Sequence, residues 1–210
     1  ERGKATAIDT ACRALLARET LQDICPLPAL QGGAGTSTNA NCNEVVAALA
    51  SRQAGTAVHP NDDVNRFQST NDIFPTALRI AALRELALLE RSLAELQQAL
   101  QEREREFATI LKLGRTQLQD AVPVTLGQEF GAWAEAVARD RWRIDKCRER
   151  LRLCNLGGTA VGTGTTAPKN FIFAFVEEVR TITGLPLARA ENGVDVTQNA
   201  DLFSEVSGML

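Results

Sequence analysis

The stretch that decides the fold is LALLERSLAELQQAL, residues 86–100. Leu86, Leu89, Leu93, Leu96 and Leu100 follow a 3, 4, 3, 4 spacing. That period places them on one stripe of an α-helix, as in a coiled-coil seam. Glu90, Arg91, Glu102 and Arg103 surround the stripe with charge. Working back towards the start of this helix, Pro75 suits a first turn, where backbone N–H groups have no helical partner in any case. Asn71 or Asp72 would serve as the N-cap.

The same period extends outward in both directions. Residues 3–18 read as a helix. A Gly-rich loop, residues 31–38, leads to a second helix starting near Asn41, and a polar segment, residues 59–71, precedes the long one. Beyond Val124 another long helix begins, with Thr125 and Gln128 at capping-box spacing. Its stripe is Phe130, Trp133, Val137, Asp140, Ile144, Cys147, Leu151 and Cys154. Only Asp140 interrupts it. A buried unpaired carboxylate is costly, so Asp140 should pair with a neighbour or lie at a wet edge. A Gly-rich turn, residues 156–164, leads to a helix with Ile172, Phe175, Val179 and Ile182 on its apolar face. A last helix is expected near Asp195. Strand signals are nearly absent, apart from a short extended piece at 187–190. The class is all-α, a bundle of long helices, and helices so striped call for partners.

Composition narrows the function. The chain has 210 residues, 44% hydrophobic and 23% charged, with a net charge of -3. That is ordinary for a globular protein. No basic face favours nucleic acid. No apolar run reaches the roughly 20 residues of a membrane span. The five cysteines, Cys12, Cys25, Cys42, Cys147 and Cys154, are odd in number and scattered. They suggest neither a disulfide framework nor a zinc site, and Cys147 and Cys154, seven apart on one helical face, read as small buried thiols of a reducing cytosol rather than a functional pair. The chain has no initiator methionine, and it reads as a fragment.

Three polar loops could carry chemistry: residues 32–39 (GGAGTSTN), residues 59–72, and residues 114–120 (GRTQLQD). Each offers hydroxyls, amides and backbone N–H groups near a helix start, which is what a carboxylate site needs. Neutral, short-armed donors also suit an oxyanion that develops during a reaction. Such loops are commonly only turns and caps. The single histidine, His59, is as readily structural as catalytic, and Arg115 is either a surface charge or a carboxylate partner.

Taken together, the loops are far more specific. GAGTSTNANCNEV (33–45), VHPNDDVN (58–65) followed by QSTND (68–72), GRTQLQDAVPVTLGQEF (114–130) and GGTAVGTG (157–164) stand in this order along the chain. This succession resembles the aspartase/fumarase superfamily. The resemblance implies a mostly α-helical homotetramer whose active sites are assembled from loops of three subunits. It implies residues 1–70 as the end of an N-terminal helical and loop region, and 71–210 as the first part of the central bundle domain. It implies a small dicarboxylate substrate (L-aspartate or fumarate), a cytoplasmic location and no cofactor, metal, nucleic acid or membrane partner. By position, Thr36, Ser69 and Thr70 would bind the substrate β-carboxylate and stabilise its aci form as a proton leaves Cβ. Asn71 and Thr116 would meet the amino group, and Gln117 the α-carboxylate end. The segment of His59, Asn61 and Asp62 matches a second dicarboxylate site of fumarases.

Two departures bear on the activity. Where fumarases carry His, this chain has Gln117, which cannot titrate near neutral pH. That favours aspartase-type elimination of ammonia from L-aspartate over hydration of fumarate. The family's Gly-Ser-Ser loop, with its serine base, substrate lysine and asparagine, has no match in residues 165–210. The chain alone is therefore expected to be inactive, and a non-catalytic helical assembly module is the alternative of another class.

Overall fold

The computed structural model describes residues 2–18, 24–28 and 30–210. They form two compact units, one made of residues up to Ile80 together with Leu153–Ala200, the other of Ala81–Arg152 and Asp201–Leu210.

The first unit opens with α1 (Arg2–Leu16) and α2 (Thr36–Ala54). Ala7 and Ala11 of α1 meet Val46, Ala47 and Ala50 of α2, and Val58 closes the cluster. Alanines at the contact leave only small side chains between the two backbones. Helix α2 begins five residues before Asn41. The run TSTNANCN reads as loop because its residues favour caps and turns, yet Gly35 starts the helix directly. Gly35 has φ 88°, and a Cβ there would lie 2.2 Å from the Phe74 ring. Only glycine permits that approach.

A single π-helical turn, Pro60–Val64, follows. His59 caps it: Nδ1 accepts the backbone N–H groups of Asn61 at 3.3 Å and Asp62 at 3.2 Å. An Nδ1 used as acceptor carries no proton for the Asp62 carboxylate, 3.3 Å away, so that contact is not an ion pair in this arrangement. Lys4 of α1 donates instead to Asp63 Oδ2 at 2.7 Å and ties α1 to the turn.

Helix α3 (Thr70–Glu106) runs for 37 residues, about 55 Å at the usual rise. Its cap is Ser69, not Asn71 or Asp72. Pro75 accordingly falls inside the helix rather than in the first turn. The carbonyl of Asn71, four residues back, therefore has no helical N–H to accept. Asn155 Nδ2 supplies the missing donor at 2.8 Å.

Helix α4 (Leu126–Leu151) starts with the expected capping box, Thr125 N–H to Gln128 Oε1 at 2.9 Å and Gln128 N–H to Thr125 Oγ1 at 3.1 Å. In the second unit Arg141 binds Glu90 Oε1 at 2.7 Å and Gln97 Oε1 at 2.8 Å, linking α4 to α3. Asp140 pairs with Arg143 at a half-exposed position, as its place in the stripe required. The helix ends before Cys154, so Cys147 and Cys154 do not share a helical face. Cys154 lies instead in β3 (Leu153–Cys154).

Between α3 and α4 the chain forms a β-hairpin, β1 (Leu111–Thr116) with β2 (Gln119–Thr125). This corrects the reading of residues 114–120 as an irregular loop. The strands were hard to see in the sequence because Pro123 argues against a strand and the turn lacks glycine and asparagine. The extended piece at 187–190 is present as β4 (Ala188–Arg189), paired in parallel with β3. Helix α5 (Lys169–Thr183) buries Ile172 and Val176 but leaves Ile182 exposed. The last predicted helix is two: α6 (Gly193–Gln198) and α7 (Asp201–Met209). Among the described residues no helix is long and apolar enough to cross a membrane.

Candidate active site

The first turn of α3 gathers most of the candidate residues of the first unit. Ser69 Oγ accepts the Asn71 backbone N–H at 3.2 Å, and Ser69 N–H donates to Asp72 Oδ1 at 3.0 Å. This is a reciprocal cap with Asp in place of the usual Glu. Thr70 Oγ1 accepts Asn39 Nδ2, from the first turns of α2, at 3.0 Å. A hydroxyl whose oxygen is engaged as acceptor still has its proton to give. Ser69 and Thr70 thus form two adjacent O–H donors whose oxygens are anchored from within the protein. Thr36, the first residue of α2, is exposed. It lies between Gly35, packed on Phe74, and Asn39, bonded to Thr70. The structure therefore brings Thr36 to the same end of α3 as Ser69, Thr70 and Asn71.

Asn71 makes two contacts with the segment after β3. Its main-chain carbonyl takes Asn155 Nδ2, which also donates to Thr197 Oγ1 at 2.9 Å. Its own Nδ2 donates to the Ala160 carbonyl at 2.7 Å. Asp72, next in the chain, is fully buried. Its Oδ2 accepts the Thr159 N–H at 3.0 Å. Burial pushes the Asp72 carboxyl above its ordinary range, and backbone N–H groups of Ser69, Thr159 and Gly157 partly offset this. Thr159 holds φ 57° although it is not glycine, a conformation that persists only where the surroundings impose it.

Thr116 and Gln117 belong to the second unit. Thr116 ends β1 opposite Gln119, and Gln117 and Leu118 form the two-residue turn, with φ 50° and 64°. Positive φ at both central positions marks a type I′ turn, normally built from asparagine and glycine. Arg115 lies 3.7 Å from Asp120, both well exposed, which is a surface pair. Of the His59, Asn61 and Asp62 group, the backbone N–H groups of Asn61 and Asp62 are already taken by His59. Among the described residues no three His, Cys, Asp or Glu side chains cluster as a metal site requires.

Four contributors were not singled out as site residues from the sequence. Asn39 sits inside the first quoted motif, where nothing distinguishes it from its polar neighbours. Asp72 was legible as half of a Ser-x-x-Asp cap. Asn155 and the Ala160 carbonyl lie 84 and 89 residues from Asn71, beyond any local pattern.

Chemically, the α3 end offers hydroxyl donors and one carboxamide in fixed orientations, suited to a carboxylate and a hydrogen-bonding group beside it. A family profile described as lyase matches residues 2–210. Aspartate ammonia-lyase of Helicobacter pylori is 45% identical, over 86% of this chain and 40% of its own length. That of Pseudomonas canavaninivorans is 44% identical over 99% of this chain and 45% of its own. The chain thus spans less than half the length of these curated relatives. The cobalt-bound fumarate lyase:delta crystallin of Brucella melitensis superposes with TM-score 0.92 at 40% identity, covering all of this chain and 46% of that one. Recombinant class II fumarase of Schistosoma mansoni does so with TM-score 0.92 at 32% identity, covering all of this chain and 48% of that one. With a matching profile along almost its whole length, this chain belongs to the lyase family of the aspartases and fumarases, the aspartase/fumarase superfamily.

Proposed function

We propose that this chain supplies the carboxylate and amino-group sites of an aspartate ammonia-lyase, which eliminates ammonia from L-aspartate to give fumarate. The observation that carries the reading is the pair of anchored hydroxyls at Ser69 and Thr70. In the elimination a base takes a proton from Cβ. The electron pair moves into the β-carboxylate, which becomes a dianionic aci form. The pair then returns to close the C=C bond as the Cα–N bond breaks and ammonia leaves. Donors preset towards the β-carboxylate stabilise the aci form more than the substrate. Ser69, Thr70 and Thr36 take this role. Asn71 and Thr116 hold the amino group, and Gln117 the α-carboxylate end.

The relatives named aspartate ammonia-lyase support this reading, as does glutamine rather than histidine at position 117. A class II fumarase reading, fumarate to L-malate, is the alternative, supported by the Schistosoma structure. The proposal carries with it a cytoplasmic homotetramer, residues 1–70 closing an N-terminal region and 71–210 opening a central bundle. It gives the His59, Asn61 and Asp62 segment at most a secondary role as a dicarboxylate site.

The test uses the full-length protein. Ammonia-dependent consumption of fumarate is expected, and malate formation without ammonia would replace this reading by the hydratase. The 210-residue chain alone should release no ammonia from L-aspartate, since the motif that carries the serine base is not in its sequence. Replacing Thr36, Ser69 or Thr70 by Ala in the active protein should lower kcat about a hundredfold or more. A change confined to KM would mean that these groups bind substrate and transition state alike, against the assignment.

A further inference from the structure

The sulfurs of Cys25 and Cys42 lie 3.9 Å apart, although the residues are 17 positions apart in the chain. Both are free thiols, Cys42 exposed on α2 and Cys25 half-buried ahead of it. From 3.9 Å the pair would close by roughly 1.9 Å to reach the bond length of a disulfide. Cys25 lies outside any helix or strand, and rotation about each Cα–Cβ bond moves a sulfur further still. The chain between the two cysteines carries the Gly-rich loop and Thr36. The end of that loop is pinned where Gly35 packs against Phe74. Residues 30–34 before it are exposed. At the other end the thiol contact joins Cys25 to α2 only weakly, since a thiol is a poor donor and a poor acceptor. What the proximity supplies is reactivity: a sulfur beside a mixed disulfide attacks it within the same molecule.

We propose that Cys25 and Cys42 are a thiol–disulfide modification site: a low-molecular-weight disulfide oxidises them to an intramolecular bridge, which closes the chain into a ring containing Thr36 and restrains the loop before it. The thiolate of Cys25 attacks one sulfur of the small disulfide, whose S–S bond breaks and releases one thiolate. Cys42 then attacks the Cys25 sulfur of the mixed disulfide and expels the second. The two cysteines lose two electrons between them, the small disulfide is reduced, and the two cysteine protons pass to the two released thiolates. Loss of water around its sulfur, and after it the neighbouring Cys25, push the Cys42 thiol up to about 11. Cys42 is therefore little ionised near neutral pH and takes the second step. Once Cys25 is held in the mixed disulfide it has neither a charge nor an S–H, and its share of that upward push is gone. The site stands apart from the lyase reading, and both measurements below are independent of activity.

The experiment uses the full-length protein, equilibrated in reduced or in oxidised glutathione. Peptide mapping without reductant is expected to find the Cys25 peptide joined to the Cys42 peptide in the oxidised sample, on a chain that still runs singly in a denaturing gel. Dithiothreitol should separate the two peptides. A lasting glutathione adduct on wild-type Cys25, a bridge between two chains, or no modification at all would each overturn the proposal. Cys42→Ser changes an exposed position and removes the resolving thiol, so there the adduct on Cys25 is expected to persist. The restraint is read by chymotrypsin cleavage at Leu30, which is 91% exposed. The bridged protein should be cut about fivefold or more slowly than the reduced one, because the ring limits how far the loop can open into the protease. Cys42→Ser should be cut at one rate in both buffers. Equal rates for bridged and reduced wild type, or the same slowing in Cys42→Ser, would overturn the restraint.

Discussion

At the scale of single residues, the site is shaped by backbone groups that the helix could not satisfy. Pro75 cannot donate to the Asn71 carbonyl, and Asn155 does so from across the unit. Replacing Asn155 by Ala should cost about 1–3 kcal/mol, because that carbonyl is then left without a protein donor. In a Pro75→Ala background the new N–H can take over, and the cost should shrink by about 1 kcal/mol. Urea unfolding of the four proteins in this cycle measures the coupling, and strictly additive costs would show that Pro75 and Asn155 are not linked through Asn71. The hairpin turn holds a different kind of strain. Leu118 is 97% exposed and has φ 64°, so it strains the backbone and packs against almost nothing. Leu118→Gly should stabilise the protein by about 1 kcal/mol, seen as a higher unfolding midpoint. No gain would mean that the turn is relaxed as it stands. Gln117→His at the neighbouring position should leave the fold intact and weaken aspartate turnover, and unchanged kinetics would show that this side chain does not meet the substrate.

At the scale of elements, two contacts decide how neighbours meet. The Lys4 ammonium, and after it the His59 backbone N–H, hold the Asp63 carboxyl below its ordinary range. A carboxyl lowered on folding stabilises the fold above its unfolded value, near pH 4, and this contribution is lost as pH falls through the lower folded value. Asp63→Asn should therefore have a lower urea midpoint than wild type at neutral pH, with the gap closing in acid. A gap that stayed constant down to about pH 2 would mean that the pair contributes nothing through charge. In the second unit α4 starts against the end of α3. A Cβ on Gly127 would lie 2.5 Å from the Glu104 carbonyl and 2.9 Å from Ala108 Cα. Both obstacles are backbone and cannot swing aside. Gly127→Ala should cost about 1–3 kcal/mol, readable in the same unfolding assay.

For the molecule as a whole, the leucine seam of α3 is only partly covered. Leu86 is buried, but Leu96 remains 47% exposed, and Trp133 and Trp142 of α4 are exposed by more than half. Apolar surface left in water costs about 25 cal/mol per Å², so further copies of the chain are expected to cover it. Light scattering should give an oligomer. Replacing Leu93, Leu96 and Leu100 together by Glu should yield a smaller species with its helical signal kept, and a well-folded wild-type monomer would refute the idea. The helical class, the capping box at Thr125 and the four motifs were legible in the sequence because each depends on neighbours a few residues apart, where period and side-chain chemistry suffice. The start of α2 was not, since Gly35 is fixed by its approach to Phe74. Nor was the hairpin, whose strands pair in spite of Pro123 and a turn without glycine. The sequence determined which groups could donate to a carboxylate. Only the tertiary structure decided that Asn71, Asp72, Asn155 and Thr159 share one network, because hydrogen bonds between residues more than 80 positions apart follow from how the chain packs and leave no local trace.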